Sequence, residues 1–156
     1  KYTIATTETV LNMIRRFSTD WRADALQGMR RVVADVLIGN GDNHLKNWSF
    51  IFPQPGEIRL SPAYDIVPTV FYQPRDTLAL RFVGTHAFAT VNFHRIRRVA
   101  SYLGLDPDWI EAEMRGVVRL ALDRWPEEAT TLLGDKRAKA FLARLDTLAL
   151  VQEVRG

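Results

Sequence analysis

Apolar residues recur at helical spacing over most of the chain. Thr6-Thr7-Glu8-Thr9 offers a helix N-cap, after which Val10, Ile14 and Phe17 fall on one face with Leu11 beside them. Ser18-Thr19-Asp20 breaks that helix and can cap a second over 21–38. There Trp21, Ala25, Met29, Val32, Val33, Val36 and Leu37 are apolar, and the last turns are apolar on most sides, as in a buried helix. Gly39 is a natural stop. The pattern then changes. Residues 48–52 and Ile58-Arg59-Leu60 read as strands joined by the turn Pro53-Gln54-Pro55-Gly56. Residues 66–77 carry Pro68 and Pro74 and have no clear period, whereas Thr77 to Phe82 alternates like a strand with 83–92 as its expected partner.

Helical spacing returns with Ile96, Val99, Ala100 and Leu103, stopped by Gly104. Asp106-Pro107 is an N-cap followed by proline at the first helical position, and the helix it opens is expected to bury Ile110, Met114, Val117, Val118, Ala121 and Leu122 and to end at Pro126. A short helix over 127–133 and a last one from Asp135, burying Ala138, Phe141, Leu142, Leu145 and Ala149, complete the pattern. Trp21, Trp109 and Trp125 fall at core spacing, and Trp48 is expected to pack in the core as well. The sum is a mainly α (α+β) domain with two small β-hairpins, a single domain over 1–156.

Composition narrows the function classes. At 156 residues, 47% apolar and 25% charged, the chain is one globular domain with no run near the roughly 18 apolar residues of a membrane span. It has no cysteine, which removes disulfides, thiol chemistry and cysteine metal sites. A net charge of +3 suits a phosphate-bearing ligand or an acidic partner and is too weak to argue for direct nucleic-acid binding. The first residues are polar without a signal-peptide pattern, so a cytoplasmic location is expected. The basic pairs Arg15-Arg16, Arg30-Arg31 and Arg97-Arg98 and the cluster Lys136-Arg137-Lys139 read as solvated helix faces, while His86 and His94 read as surface residues.

One loop stands apart. Gly39-Asn40-Gly41-Asp42-Asn43-His44-Leu45-Lys46-Asn47 lies between the apolar end of the second helix and the first strand, and a second polar island, Ser61-Pro62-Ala63-Tyr64-Asp65, follows the hairpin. A five-residue step from Asp42 to Asn47 and a hairpin from Asn47 to Asp65 should bring the three together. Two carboxylates and an amide are hard oxygen donors, suited to Mg²⁺ rather than Zn²⁺. If Asn47 and Asp65 share the ion with substrate phosphates, Asp42 is left to accept a proton from an attacking hydroxyl. That is the division of labour in phosphoryl transfer by protein kinases, with its D-x-x-x-x-N loop and a later metal-binding Asp.

The stretch 39–50, taken with Leu60-Ser61-Pro62-Ala63-Tyr64-Asp65-Ile66-Val67-Pro68, resembles the signature of HipA-like kinases, the bacterial serine/threonine kinase toxins of toxin–antitoxin systems. The likeness extends through the Leu78-Ala79-Leu80 hairpin and the helices after it. It implies a kinase-like C-terminal lobe in which Asp42 is the catalytic base and Asn47 and Asp65 are the metal ligands. His44 and Lys46 would contact phosphates or orient Asp42. It also implies Mg²⁺, ATP as substrate, a protein acceptor and a DNA-binding antitoxin partner. The chain departs from a whole kinase in having no phosphate-cradling glycine loop, strand lysine or paired glutamate; its one G-x-G, Gly39-Asn40-Gly41, belongs to the catalytic loop. It is therefore expected to be a C-terminal lobe, an excised fragment or half of a split kinase, that needs an N-terminal lobe on the same or a separate chain and is inactive alone. Two rival readings remain at this point: a phosphotransferase for small molecules, and a non-catalytic interaction subunit that keeps the loop.

Overall fold

The computed structural model of the chain describes residues 5–156 and contains six α-helices and one two-stranded sheet among them. α1 (Thr7–Phe17) opens on a capping box, with the Thr6 hydroxyl accepting from the Thr9 N–H at 3.3 Å and the Thr9 hydroxyl accepting from the Thr6 N–H at 3.2 Å. α2 (Trp21–Ile38) starts at the Asp20 cap and ends at Gly39, whose φ of 78° lies in the left-handed region that glycine adopts freely. A Cβ at Gly39 would also stand 2.5 Å from a Val70 methyl, so both conformation and space demand glycine there. β1 (Phe50–Ile51) and β2 (Arg59–Leu60) pair antiparallel, Phe50 opposite Leu60 and Ile51 opposite Arg59. α3 (Phe93–Leu103), α4 (Pro107–Leu133), α5 (Asp135–Leu145) and α6 (Ala149–Arg155) follow.

α2 is the central element, packing against α1, α4 and β2. Leu11, Met29, Val33, Val36, Ile96, Ile110 and Met114 are fully buried around it. The hairpin is tied to α2 through Asp24, which is 3% exposed. Its carboxylate accepts from the Ser18 hydroxyl at 2.6 Å, the Leu60 N–H at 2.7 Å and Arg59 Nη2 at 2.9 Å. Burial raises the pKa of this carboxyl, but the bonds from Arg59, Ser18 and Leu60 outweigh it and hold the group below its ordinary range.

Four details differ from the sequence pattern. Helix α4 continues through Pro126 to Leu133. The proline removes an N–H and clashes with the preceding turn, a cost of about 3 kcal/mol in a helix interior. Packing of the far half of α4 on α5 offsets this: Trp125 lies 5.7 Å from the Phe141 ring, and Ala129 and Ala138 are buried. The last helix is split, α5 stopping at Leu145 and α6 beginning at Ala149, with Leu148 buried in the turn between them. Trp109 is 41% exposed and flanks the buried stripe of α4. The second hairpin folds back on itself, with Leu78 N–H bonded to His86 O at 2.8 Å and a bridge between Phe82 and Thr85, but builds no continuous ladder. The alternation there reflects burial: Leu78, Leu80 and Phe82 all point inward.

The C-terminal end of α2 has a partner from far along the chain. Arg144 of α5 donates from Nη2 to Val36 O at 2.9 Å and from Nη1 to Leu37 O at 2.8 Å, with Phe88 beneath its guanidinium at 5.2 Å. The last carbonyls of a helix lack intrahelical donors, and α2 carries no basic residue in its own last turn. A cation from another helix supplies what the local sequence omits.

Candidate active site

The loop leaves α2 at Gly39 and is held first by a carboxylate inside that helix. Asp35 is 1% exposed; its side chain accepts from Asn40 Nδ2 at 2.8 Å and from the Asn43 amide, and its backbone carbonyl accepts from the Gly39 and Asn40 N–H groups at 2.9 Å. Asn40 Oδ1 in turn accepts from the Asp42 N–H at 3.1 Å. The loop is therefore laced to α2 on both sides of Asp42, whose own side chain is 65% exposed and stands in solvent. A 3₁₀ turn at Leu45–Asn47 brings the chain round so that Asn47 is buried.

Asn47 joins the two loops. Its Nδ2 donates to the Asp42 backbone carbonyl at 3.1 Å and to Asp65 Oδ2 at 3.2 Å. The three residues that spacing groups together are thus adjacent in space. Asp65 has φ 56°, a left-handed conformation uncommon for a residue with a side chain. Such strain persists where the surroundings over-determine it. Tyr64 anchors the neighbouring position, its hydroxyl donating to Lys46 O at 2.9 Å and lying 3.2 Å from Ser49 Oγ. His44 Nε2 is 3.9 Å from Asp42 Oδ1, while the Lys46 side chain is exposed.

A divalent ion would find a carboxylate and an amide converging at one point, a hard-oxygen donor set that fits Mg²⁺ when substrate oxygens and water complete the shell. The amide hydrogens of Asn47 face Asp65 here, so ligation by this residue needs its amide turned to present the oxygen. Among the described residues no cluster of three His, Asp or Glu side chains forms a self-contained metal cage.

Sequence reasoning missed Arg31. The pair Arg30-Arg31 is not a solvated face: Arg30 is half-exposed and bonded to Glu113 at 2.7 Å, but Arg31 is 7% exposed. It donates to Asn47 O at 3.3 Å and Ser61 O at 2.9 Å, and its guanidinium lies 4.5 Å over the Trp48 ring. One buried cation therefore grips both loops from beneath. A signal was present: Asp24, Arg31 and Asp35 fall at i, i+7 and i+11, three charged residues on one face of α2.

Burial pushes the Asp35 carboxyl up to about 6, against the opposing pull of Asn40, Asn43 and the Arg31 charge. The folded state therefore holds this proton more tightly than the unfolded chain, whose ordinary value is 3.8. The resulting contribution to stability is complete below that value and is lost as pH rises through about 6. The Asp35 carboxyl-carbon resonance is expected to titrate with a midpoint near 6; a midpoint at the ordinary value would mean that the group is solvated.

With this geometry in hand, comparison with known sequences is decisive. A profile of the family described as the HipA-like C-terminal domain matches residues 1–125. The chain belongs to that family. A Sinorhizobium fredii protein named "Putative kinase Y4dM" is 35% identical to the HipA-like chain over 133 residues, which is 84% of this chain and 32% of that protein. A Haemophilus influenzae protein named "Putative kinase" is 35% identical over 60 residues, 38% of this chain and 18% of its own length. Among solved structures, the complex of HipA, HipB and operator DNA of a Shewanella oneidensis toxin–antitoxin system contains a chain that superposes with a TM-score of 0.69 at 20% identity. The match covers 96% of this chain and 35% of that one, and it shows the shared fold. The match spans about a third of the Sinorhizobium protein and of the Shewanella chain, and less of the Haemophilus protein. No helix among the described residues is long and apolar enough to cross a membrane.

Proposed function

We propose that this HipA-like domain is the catalytic C-terminal lobe of a serine/threonine protein kinase, working with an N-terminal lobe that supplies the rest of the nucleotide site. The observation that carries the reading is the junction at Asn47, whose amide touches both the Asp42 backbone and the Asp65 carboxylate. Asp42 orients the acceptor hydroxyl and takes its proton as the new phosphorus–oxygen bond forms and the bond to the ADP oxygen breaks. Asp65, and Asn47 with its amide turned, would hold Mg²⁺, which would supply positive charge to neutralise the nucleotide phosphates. The exposure of Asp42 leaves room for a protein hydroxyl to reach it. His44, close to Asp42, and Lys46, on the exposed rim, are placed to meet phosphate oxygens. A DNA-binding antitoxin is the proposed regulatory partner in the bacterial cytoplasm, supported by the HipB and operator DNA present with the structural neighbour.

The test is transfer of radiolabelled γ-phosphoryl from ATP to casein by the full-length protein with Mg²⁺. Asp65→Ala is expected to lower transfer at least a hundredfold, and excess Mg²⁺ should restore little of it. Transfer by Asp65→Ala at the wild-type rate would remove Asp65 from the metal site.

A further inference from the structure

The segment after Asp65 returns to the loop that carries Asp42. Thr69–Phe71 forms a 3₁₀ turn within it. The Thr69 hydroxyl oxygen accepts from the Gly41 N–H at 2.7 Å. Its own proton has two acceptors, Gly39 O at 3.1 Å and the Asp76 carboxylate. A charged acceptor makes the stronger bond, and Gly39 O already receives the Val70 N–H at 3.2 Å. Asp76 is held in turn, its Oδ1 accepting from the Thr77 N–H at 2.9 Å. The result is an oriented relay: Gly41 N–H to Thr69 hydroxyl to Asp76 carboxylate. It is anchored on the Asn40–Gly41 peptide, one residue before Asp42. The fit is close enough that a Cβ at Gly41 would stand 2.1 Å from Asp76 Oδ2.

We infer that Thr69, polarised by Asp76, is a positioning residue for phosphoryl transfer: it fixes the Gly41 peptide and so the placement of the Asp42 carboxylate. This rests on the kinase reading above. α2 holds the loop from one side through Asp35, and Thr69 holds it from the other. The second grip comes from the segment that begins at Asp65, so it couples the position of the base to that of the candidate metal ligand. The Thr69 hydroxyl is engaged with Gly41, Gly39 and Asp76, so its effect belongs in turnover and not in nucleotide affinity.

Thr69→Val keeps the shape of the side chain and removes the hydroxyl, whereas Thr69→Ser keeps the hydroxyl. In the full-length protein, with ATP and casein, Thr69→Val is expected to lower kcat roughly ten- to a hundredfold. KM for ATP should stay within about twofold, because no ground-state contact is lost. Thr69→Ser should stay within about threefold of wild type, since the relay remains. Amide exchange at Gly41 should speed up in Thr69→Val only. Wild-type kcat in Thr69→Val overturns the inference, as does an equal loss in Thr69→Ser, which would mean that the methyl matters and not the bond. If Thr69→Val fails to fold, Asp76→Asn decides, because asparagine has one acceptor oxygen where the carboxylate turns Oδ2 to Thr69 and Oδ1 to the Thr77 N–H. A kcat loss with unchanged KM then supports the relay, and wild-type turnover overturns it. A wild-type protein that transfers nothing sinks the kinase reading instead, and exchange at Gly41 then tests the relay by itself: no change in Thr69→Val removes it.

Discussion

Asp42→Asn in the full-length protein is expected to leave the fold and ATP binding intact and to lower phosphoryl transfer on the order of a thousandfold. The substitution is nearly isosteric. The side chain is 65% exposed, so no buried charge is stranded, and the backbone bonds from Asn47 Nδ2 and to Asn40 Oδ1 do not involve it. What asparagine lacks is the ability to take a proton from the attacking hydroxyl. The check is the initial rate of label transfer alongside calorimetric ATP binding. Unchanged binding with the lost rate assigns Asp42 to chemistry; an unchanged rate would remove it from the mechanism.

Arg31→Met is expected to have the largest effect on stability. The thioether fills much of the stem volume but leaves the Asn47 and Ser61 carbonyls without the donors they have at 3.3 and 2.9 Å. Hydrogen bonds from a charged group contribute about 1.5–3 kcal/mol each, so the combined loss is on the order of 3 kcal/mol. For a domain of this size that is a drop in Tm of roughly 10 °C. Arg31→Lys should recover only part of it, because an ammonium cannot span both carbonyls and stack on Trp48. Thermal denaturation of the full-length protein and its two variants decides: a Tm within about 2 °C of wild type in Arg31→Met would mean that water satisfies both carbonyls.

Much of the fold was legible because its signals are local. Caps at Thr6, Asp20 and Asp106 and stops at Gly39 and Gly104 bound helices whose apolar positions keep a regular period. Asp42, Asn47 and Asp65 were legible because two short motifs carry all three, joined by a hairpin of readable turn chemistry. What escaped depends on distance along the chain or on charge in an unexpected place. Arg31 looked like half of a basic pair, and Asp35 sat unremarked in an apolar run; both are buried because polar backbone and amide groups of the loop need partners below them. Thr69 and Asp76 lie in a stretch without period, so nothing local marks the bond that Thr69 makes to Gly41. Pro126 misled because a helix-breaking residue is tolerated when both flanking halves are packed.

Arg144 bonds a carbonyl 107 positions earlier in the chain. A ribosome delivers a polypeptide from its N-terminus, so the loop at 39–47 is completed long before the side chain that braces its base is made. At about 5–20 residues per second this is an interval on the order of ten seconds. During it, the end of α2 and the loop it carries lack one of their supports. The finished arrangement of the site is therefore among the last events in the biogenesis of this domain, and a nascent chain paused before α5 would carry every proposed catalytic residue without the brace that sets them.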